Sequence, residues 1–162
     1  MDFFQQLYDS HAADVYRFAL YLCRDRAQAE DITAETFLRA LAAPGPIRAA
    51  SAKAYLLAIA RNLYLHHLRK ARRQTELDPE WAEAIPDSGA TPDHQAQQGQ
   101  AASMVLAAMD HLPDAERAAL LLRAVEGLGY AEIATILRCS LAAVKVNIHR
   151  ARLALAGVRS LI

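Results

Sequence analysis

Cations that could bind nucleic acid are concentrated in two separate stretches of this 162-residue chain. Residues 44–75 carry seven Lys and Arg side chains and no acid, and residues 117–162 carry seven with two acids. Residues 1–43 and 76–116 are acidic, so the formal net charge of the whole chain is zero. Because phosphates attract clustered cations, this segregation favours two nucleic-acid-binding stretches with acidic sequence between them.

The pattern of residues 130–155 predicts a helix-turn-helix. A short helix, Ala131–Leu137, is followed by the turn Arg138-Cys139-Ser140 and by a second helix from Leu141 to about Ala156. Ser140 suits the N-cap of that second helix, because its side chain can accept from amides of the first turn. At 100° per residue, the second helix has one apolar stripe that we expect to be buried: Leu141, Val144, Ile148, Ala151 and Leu155.

The opposite side of this second helix is basic. Lys145, His149 and Arg152 lie together on the helical wheel, beside Ala142 and Val146. A recognition helix presents such a row to base edges and phosphates in the major groove. An ordinary solvated face of a helical hairpin is the alternative interpretation of the same pattern.

A second basic helix is predicted from Ser51, a plausible N-cap, to about Arg73. Its polar stripe ends in the cluster Arg69-Lys70-Ala71-Arg72-Arg73 and includes Tyr55, Asn62 and His66. Aromatic and amide groups interleaved with cations can stack on bases and bridge phosphates. Cations also stabilise a helix C-terminus, but seven of them without an acid exceed what a cap requires.

The helix predicted over residues 26–41 has an acidic face. Asp31 and Glu35 lie one turn apart, with Leu38 between them on the wheel and Arg39 adjacent. From this pattern alone a solvated face is favoured, and a protein-docking surface is the alternative.

The whole chain is predicted to be all-α, because sustained apolar/polar alternation is missing and Ala and Leu dominate. We expect two small helical bundles, residues 1–75 and 101–162, joined by a flexible acidic linker over residues 76–100 that is rich in Pro, Gly and Gln. Apolar runs are too short for a membrane span, and no leader is expected. Cys23 and Cys139 alone make neither a disulfide framework nor a zinc site, and no cofactor, metal or catalytic residue is expected.

Blocks of sequence in this order and spacing resemble the bacterial sigma factors of the extracytoplasmic-function (ECF) group of the sigma-70 family. The resemblance covers nearly the whole chain, and Arg138 stands where the turn of the family's helix-turn-helix usually has glycine. It rests on residues 29–41, 59–63, 68–73, 112–113, 120–123, 126–134, 144–145 and 149–152.

The resemblance implies a role for each surface. The second helix of the helix-turn-helix looks like the reader of the −35 promoter element, the second basic helix is similar to the part that recognises and melts the −10 element, and the acidic face looks like the docking surface for core RNA polymerase. The expected −35 residues are Ser140, Ala142, Ala143, Lys145, Val146, His149, Arg150 and Arg152. The expected −10 residues are Arg48, Tyr55, Arg61, Asn62, His66, Arg69, Lys70, Arg72 and Arg73, and the expected polymerase contacts are Asp31, Glu35, Phe37 and Leu38.

The interpretation is therefore a cytoplasmic sigma factor without catalysis of its own, which partners core polymerase, promoter DNA and, as a family expectation, an anti-sigma factor. No membrane insertion is expected. One alternative is a helix-turn-helix regulator that binds DNA without being a polymerase subunit. Another is a helical adaptor whose basic patches are only solvated faces, which would show no salt-dependent nucleic-acid binding.

Overall fold

The computed structural model describes residues 3–43, 51–77 and 106–159, and all regular structure within them is helical. Residues 106–110 are helical, and a π-helical turn, Leu121–Val125, extends α4. The all-α class expected from the sequence is confirmed. The helices are α1 Phe3–Cys23, α2 Arg26–Ala42, α3 Ala52–Leu77, α4 Asp114–Leu120, α5 Tyr130–Leu137 and α6 Leu141–Arg159.

Helices α1, α2 and α3 pack against one another as the first bundle. Phe18, Ile32 and Leu56 are buried completely at its centre. The N-cap predicted for α3 is confirmed, because the Ala54 amide donates to Ser51 Oγ at 3.0 Å. Helix α3 extends beyond the predicted end near Arg73 and takes in residues 76–77 of the expected linker. Residues 78–100 of that linker lie outside the described residues.

The second bundle places α4 and α5 against α6. Its core contains Ile133, Val144 and Ile148, which are at most 2% exposed. The apolar stripe predicted for α6 is buried at Val144, Ile148 and Ala151, whereas Leu155 is half-buried and Leu141 at the start is 45% exposed. Helical side chains lean toward the N-terminus of their helix, so the first residue of α6 extends past the packed part of the bundle.

The two bundles also pack against each other, which the sequence pattern did not predict. Helix α3 lies on α5, and the π-helical turn lies on α1. The buried apolar side chains of both bundles form one continuous cluster. Among the described residues, no helix has the length and apolar character that crossing a bilayer requires.

Candidate nucleic-acid and protein interfaces

The turn between α5 and α6 fixes the angle of the second helix. Arg138 adopts the left-handed conformation with φ 55°. The amides of Arg138 and Cys139 donate to the carbonyls of Thr135 and Ala134 at 3.3 and 3.1 Å, the hydrogen-bond pattern of a Schellman motif. The Ala143 amide then donates to Ser140 Oγ at 3.1 Å, which confirms the predicted N-cap of α6.

The predicted −35 contact residues form one accessible surface, which we call the α6 surface. Lys145 is held partly in place, since its ammonium lies 5.9 Å from the Tyr130 ring centroid, and Arg123 lies over the same ring at 4.5 Å. Val146 is 45% exposed, so an apolar methyl pair stands among the cations. Of the residues in this surface, only Ala143 is half-buried and the others are exposed: Ser140, Ala142, Lys145, Val146, His149, Arg150 and Arg152.

The predicted −10 contact residues on α3, which we call the α3 surface, differ in solvent exposure. Tyr55 is half-buried, and Arg48 lies outside the described residues. Arg61 is buried. The remaining members of the α3 surface are exposed, Asn62 before the middle of the helix and the others along its C-terminal half: His66, Arg69, Lys70, Arg72 and Arg73.

Arg61 is only 6% exposed and makes a two-pronged ion pair with Asp114 at the start of α4. Its Nη1 donates to Asp114 Oδ1 at 3.1 Å, and a second bond joins Nη2 to Oδ2. The guanidinium also lies 5.8 Å from the ring centroid of Tyr64, whose hydroxyl accepts from Arg117 at 3.0 Å. Among the described residues, Arg61 Nε has no hydrogen-bond partner. Arg61, which the sequence predicts to contact DNA, is therefore bonded to a carboxylate of the second bundle.

The acidic face of α2 adjoins an apolar groove, and we call the two together the α2 surface. Asp31 is exposed, Leu38 is 62% exposed, and Glu35 pairs with Arg39 at 3.1 Å. Phe37 is buried instead, with its ring 4.9 Å from that of Tyr8. The groove between α1 and α2 has a volume of about 740 Å³ and is lined mainly by Phe4, Tyr8, Ala12, Tyr16, Phe37 and Leu38.

A second, polar groove runs between α2 and α3. It brings Glu35 and Arg39 of α2 together with His66, His67 and Lys70 of α3. The two histidine rings meet edge to face with centroids 6.5 Å apart. Within the part of the chain that the structure describes, no group of three His, Cys, Asp or Glu side chains could hold a metal ion.

Among the described residues, the most deeply buried acid is Glu126, which follows the π-helical turn and is 5% exposed. Its carboxylate accepts from Arg17 Nε and Nη2 of α1 at 3.0 and 2.7 Å. Lys53 Nζ lies 3.3 Å from the same carboxylate and donates to the Glu126 carbonyl at 2.8 Å. The hydrogen bond to Glu126 raises the pKa of Arg17 above its usual value, against the opposing effect of partial burial.

Sequence reasoning did not identify these contacts between the bundles. Arg17 and Glu126 are 109 residues apart, and no periodicity connects them. Lys53 belongs to the basic stretch of residues 44–75, but its place in the sequence indicates no contact with Glu126. The only local signal is Gly127, whose φ of 74° marks a sharp change of direction directly after Glu126.

Comparison with known proteins gives two family matches and several similar chains. Residues 7–74 match the family Sigma-70 region 2, and residues 102–155 match Sigma-70 region 4. The ECF RNA polymerase sigma factor SigE of Mycolicibacterium smegmatis is 33% identical over 94% of this chain and 60% of that protein. The ECF RNA polymerase sigma factor SigX of Bacillus subtilis is 34% identical over 91% of this chain and 78% of that protein.

A solved structure has a similar arrangement of the whole chain. The sigma factor RpoE of Bartonella quintana, crystallised in complex with the anti-sigma factor NepR, superposes with a TM-score of 0.83 and 25% identity. The match covers 97% of this chain and 96% of that chain. Because it covers both bundles, the similarity includes how the bundles lie on each other.

Proposed function

Because the chain belongs to the ECF group of the sigma-70 family, we propose that it binds core RNA polymerase and directs transcription initiation through −35 and −10 promoter recognition. The α6 surface carries the proposal, since an N-capped second helix of a helix-turn-helix presents exposed cations along one side. The protein performs no reaction of its own and acts where the polymerase is, in the cytoplasm.

At the −35 element the α6 surface enters the major groove of duplex DNA. Lys145 and Arg150 are exposed and can reach base edges or phosphates, while Val146 offers an apolar contact suited to a thymine methyl. Ser140 lies at the N-terminus of α6, where free amides and the helix dipole favour a phosphate. These contacts give both affinity and some base discrimination.

At the −10 element the α3 surface binds DNA that must be unpaired. The exposed cations Arg69, Lys70, Arg72 and Arg73 neutralise phosphates, and Asn62 and His66 can hydrogen-bond to bases. Extruding a base costs a few kcal/mol, so contacts to the flipped base and its phosphates have to offset that cost. Arg61 contributes only once it has left Asp114.

The polymerase binds at the α2 surface. Asp31 and Leu38 are exposed there, and Phe37 forms the floor of the adjoining groove rather than a direct charged contact. An apolar groove beside carboxylates suits a helix that carries both apolar and basic side chains. An anti-sigma factor is a further proposed partner, since the Bartonella quintana sigma factor is similar over the whole chain and is bound to one.

Reconstituted transcription with core polymerase and a library of promoter fragments tests the proposal. We expect the chain to co-purify with core enzyme and to start transcripts at defined sites, with weak DNA binding in its absence. DNA binding to a palindrome as a dimer, without any effect on core polymerase, would instead support a helix-turn-helix regulator.

The polymerase contact is tested by reversing charge at Asp31→Arg, alone and with Glu35→Arg. We expect core polymerase to bind at least about tenfold more weakly, because like charges at a complementary interface cost several kcal/mol. Glu116→Arg in α4 is the matched control, with the same charge change away from the α2 surface. Equal core affinity for both reversals would remove the α2 surface from the proposal.

A further inference from the structure

The polar groove between α2 and α3 contains Arg39, a cation to which the proposed function gives no role. The groove has a volume of about 470 Å³. Its cations are Arg39 of α2 and Lys70 of α3, and Glu35 is the acid among its lining residues. The lining residues are Gln28, Glu35, Arg39, His66, His67, Lys70, Ala71 and Gln74. A concave site with more cations than acids, edged by amide and imidazole donors, favours a bound anion.

We propose that this polar groove binds a backbone phosphate of promoter DNA through Arg39 and Lys70, and that Glu35 competes for Arg39 in the free chain. The origin of the phosphate rests on the proposed function, which places DNA along the α3 surface. The preference of the groove for a phosphate rests only on the side chains that line it. The −10 contacts expected from the sequence begin at Arg48 and include no residue of α2, so Arg39 is an addition to them.

Two residues connect the polar groove with the α3 surface. His66 and Lys70 line the groove and are also exposed members of the α3 surface. At 100° per residue they lie between the row that contains Arg69 and Arg73 and the groove-lining Gln74. A DNA strand that follows the α3 surface therefore has phosphates at the edge of the groove.

The two histidines of the groove add hydrogen-bond donors. His67 is half-buried, and its ring meets that of His66 edge to face with centroids 6.5 Å apart. A neutral imidazole keeps one N–H donor, so each ring can bond to a phosphate oxygen without carrying a charge. Among the described residues, no three His, Cys, Asp or Glu side chains could hold a metal ion, so an anion is the ligand that these side chains fit.

Glu35 already supplies an anion to Arg39. Arg39 Nη2 lies 3.1 Å from Glu35 Oε1, one helical turn earlier. An arginine binds a carboxylate and a phosphate with the same N–H donors. The two side chains are 57% and 45% exposed, so water screens the pair, and an ion pair of this spacing shifts an equilibrium by only about twofold. A phosphate can therefore displace the carboxylate at little cost.

A purely local role for Arg39 makes a different prediction. Arg39 lies in the last turn of α2, where a cation stabilises the carbonyl end of the helix. Loss of that role would lower the stability of the first bundle and leave the salt dependence of DNA binding unchanged. A phosphate contact instead contributes nearly one unit to the slope of log affinity against log salt. The salt dependence therefore distinguishes the two roles.

Glu35 also belongs to the α2 surface, where the proposed function places the polymerase. A polymerase cation that pairs with Glu35 frees the Arg39 guanidinium for a phosphate. By linkage, DNA in the groove strengthens polymerase binding by the same factor. Because the Glu35–Arg39 pair is exposed, we expect this coupling to be about twofold.

The first test compares Arg39→Gln with Arg26→Gln in the complete free chain. Each variant loses one positive charge from α2, and Arg26 is exposed and outside the groove. The probe is a random-sequence duplex with a bubble of about ten unpaired nucleotides, titrated by anisotropy at several salt concentrations. Arg39→Gln should weaken binding about fivefold at about 0.15 M salt and make the salt slope shallower by nearly one unit. Arg26→Gln should match the parent.

Removing the charge of Glu35 should have the opposite effect. Glu35→Gln should bind the same probe about twofold more tightly than the parent, because Arg39 loses its competitor. Glu30→Gln is the matched control, since Glu30 is an exposed acid of the same helix outside the polar groove, and it should give no gain. In an Arg39→Gln background the gain from Glu35→Gln should largely disappear.

Inorganic pyrophosphate tests the groove without DNA. In a nuclear magnetic resonance titration of the complete chain it should shift the side-chain Nε–H signal of Arg39 and the ring signals of His67 saturably. The Nε–H signal of Arg26 should not shift. Saturable pyrophosphate binding together with unchanged DNA affinity of Arg39→Gln would assign the groove to a free phosphorylated ligand and overturn the DNA contact.

Equal affinity and equal salt slope for Arg39→Gln and the parent would overturn the phosphate contact. A gain from Glu35→Gln that persists in full in the Arg39→Gln background would overturn the competition. The combined variant Arg69→Ala and Arg73→Ala separates the groove from the proposed function. If that variant weakens binding and Arg39→Gln does not, the groove proposal alone fails, whereas no effect of either would contradict the proposed −10 function of the α3 surface as well.

Discussion

The two candidate DNA-binding surfaces differ in accessibility although both lie on basic helices. Every cation assigned to the α6 surface is exposed, whereas Arg61 in the α3 surface is buried against Asp114. The α6 surface belongs to a helix that packs mainly against α4 and α5 of its own bundle. Helix α3 packs against α1 and α2 of its own bundle and also against α5 of the second bundle.

Under the proposed function this difference favours an order of binding, in which the exposed α6 surface meets duplex DNA before Arg61 of the α3 surface leaves Asp114. Duplex recognition needs a preformed helix, and melting needs extra binding free energy at the moment of strand separation.

The largest effect on this comparison is expected from Lys145→Ala combined with Arg150→Ala. Each side chain is exposed on α6, and loss of one specific base or phosphate contact costs about 1–3 kcal/mol. Loss of both contacts should therefore weaken binding of the reconstituted holoenzyme to −35 duplex at least about thirtyfold in a filter or anisotropy assay. Arg69→Ala with Arg73→Ala removes the same charge from α3 and is the control. Equal duplex affinity in the two pairs of variants would mean that the recognition helix is misplaced.

A smaller effect is expected when that control pair is tested on DNA with an unpaired −10 region. Arg69 and Arg73 are exposed in the C-terminal half of α3, and under the proposed function we expect them to contact phosphates rather than bases. Affinity should fall about tenfold, and the salt dependence should become shallower by nearly one unit of slope for each lost phosphate contact. A loss confined to fully paired −35 DNA would reverse the assignment of the two surfaces.

The smallest effect is expected at the left-handed residues that end α1 and α5. Arg138 has φ 55°, a conformation that glycine adopts without strain, so Arg138→Gly should raise the free energy of unfolding of the second bundle by about 0.5–1 kcal/mol. Arg24 has φ 57°, but the Nε atom of its half-buried side chain lies 3.8 Å from Asp110 Oδ1. Thermal denaturation of the two glycine variants should therefore show increased stability only for Arg138→Gly. A loss at Arg138 would show that its side chain has contacts worth more than the strain.

Much of the local structure follows from the sequence. The N-caps at Ser51 and Ser140 were predicted and are confirmed, as are the all-α class and the ECF sigma-factor family. The sequence could support these predictions because helix periodicity and capping depend on residues within about four positions of each other. The exposed row of cations on α6 could be predicted for the same reason, since the helical wheel shows which side chains share a face.

Whether an individual side chain is buried or exposed depends on tertiary structure. Arg61 was assigned with the other cations of α3, yet it is buried because Asp114, 53 residues later, lies against it. Phe37 was grouped with Leu38, yet the rings of α1 cover it and leave Leu38 outside.

The sequence by itself determined the helices, their caps, the family and the two basic rows, because each of these depends on patterns among residues that are close together in the chain. Only the tertiary structure decided that Glu126 pairs with Arg17 and Lys53 and that the two bundles lie together. Such contacts depend on how two folded surfaces fit, which no periodicity along the chain encodes. Segregated charge therefore indicated how many charged surfaces to expect, and packing determined which of them is covered.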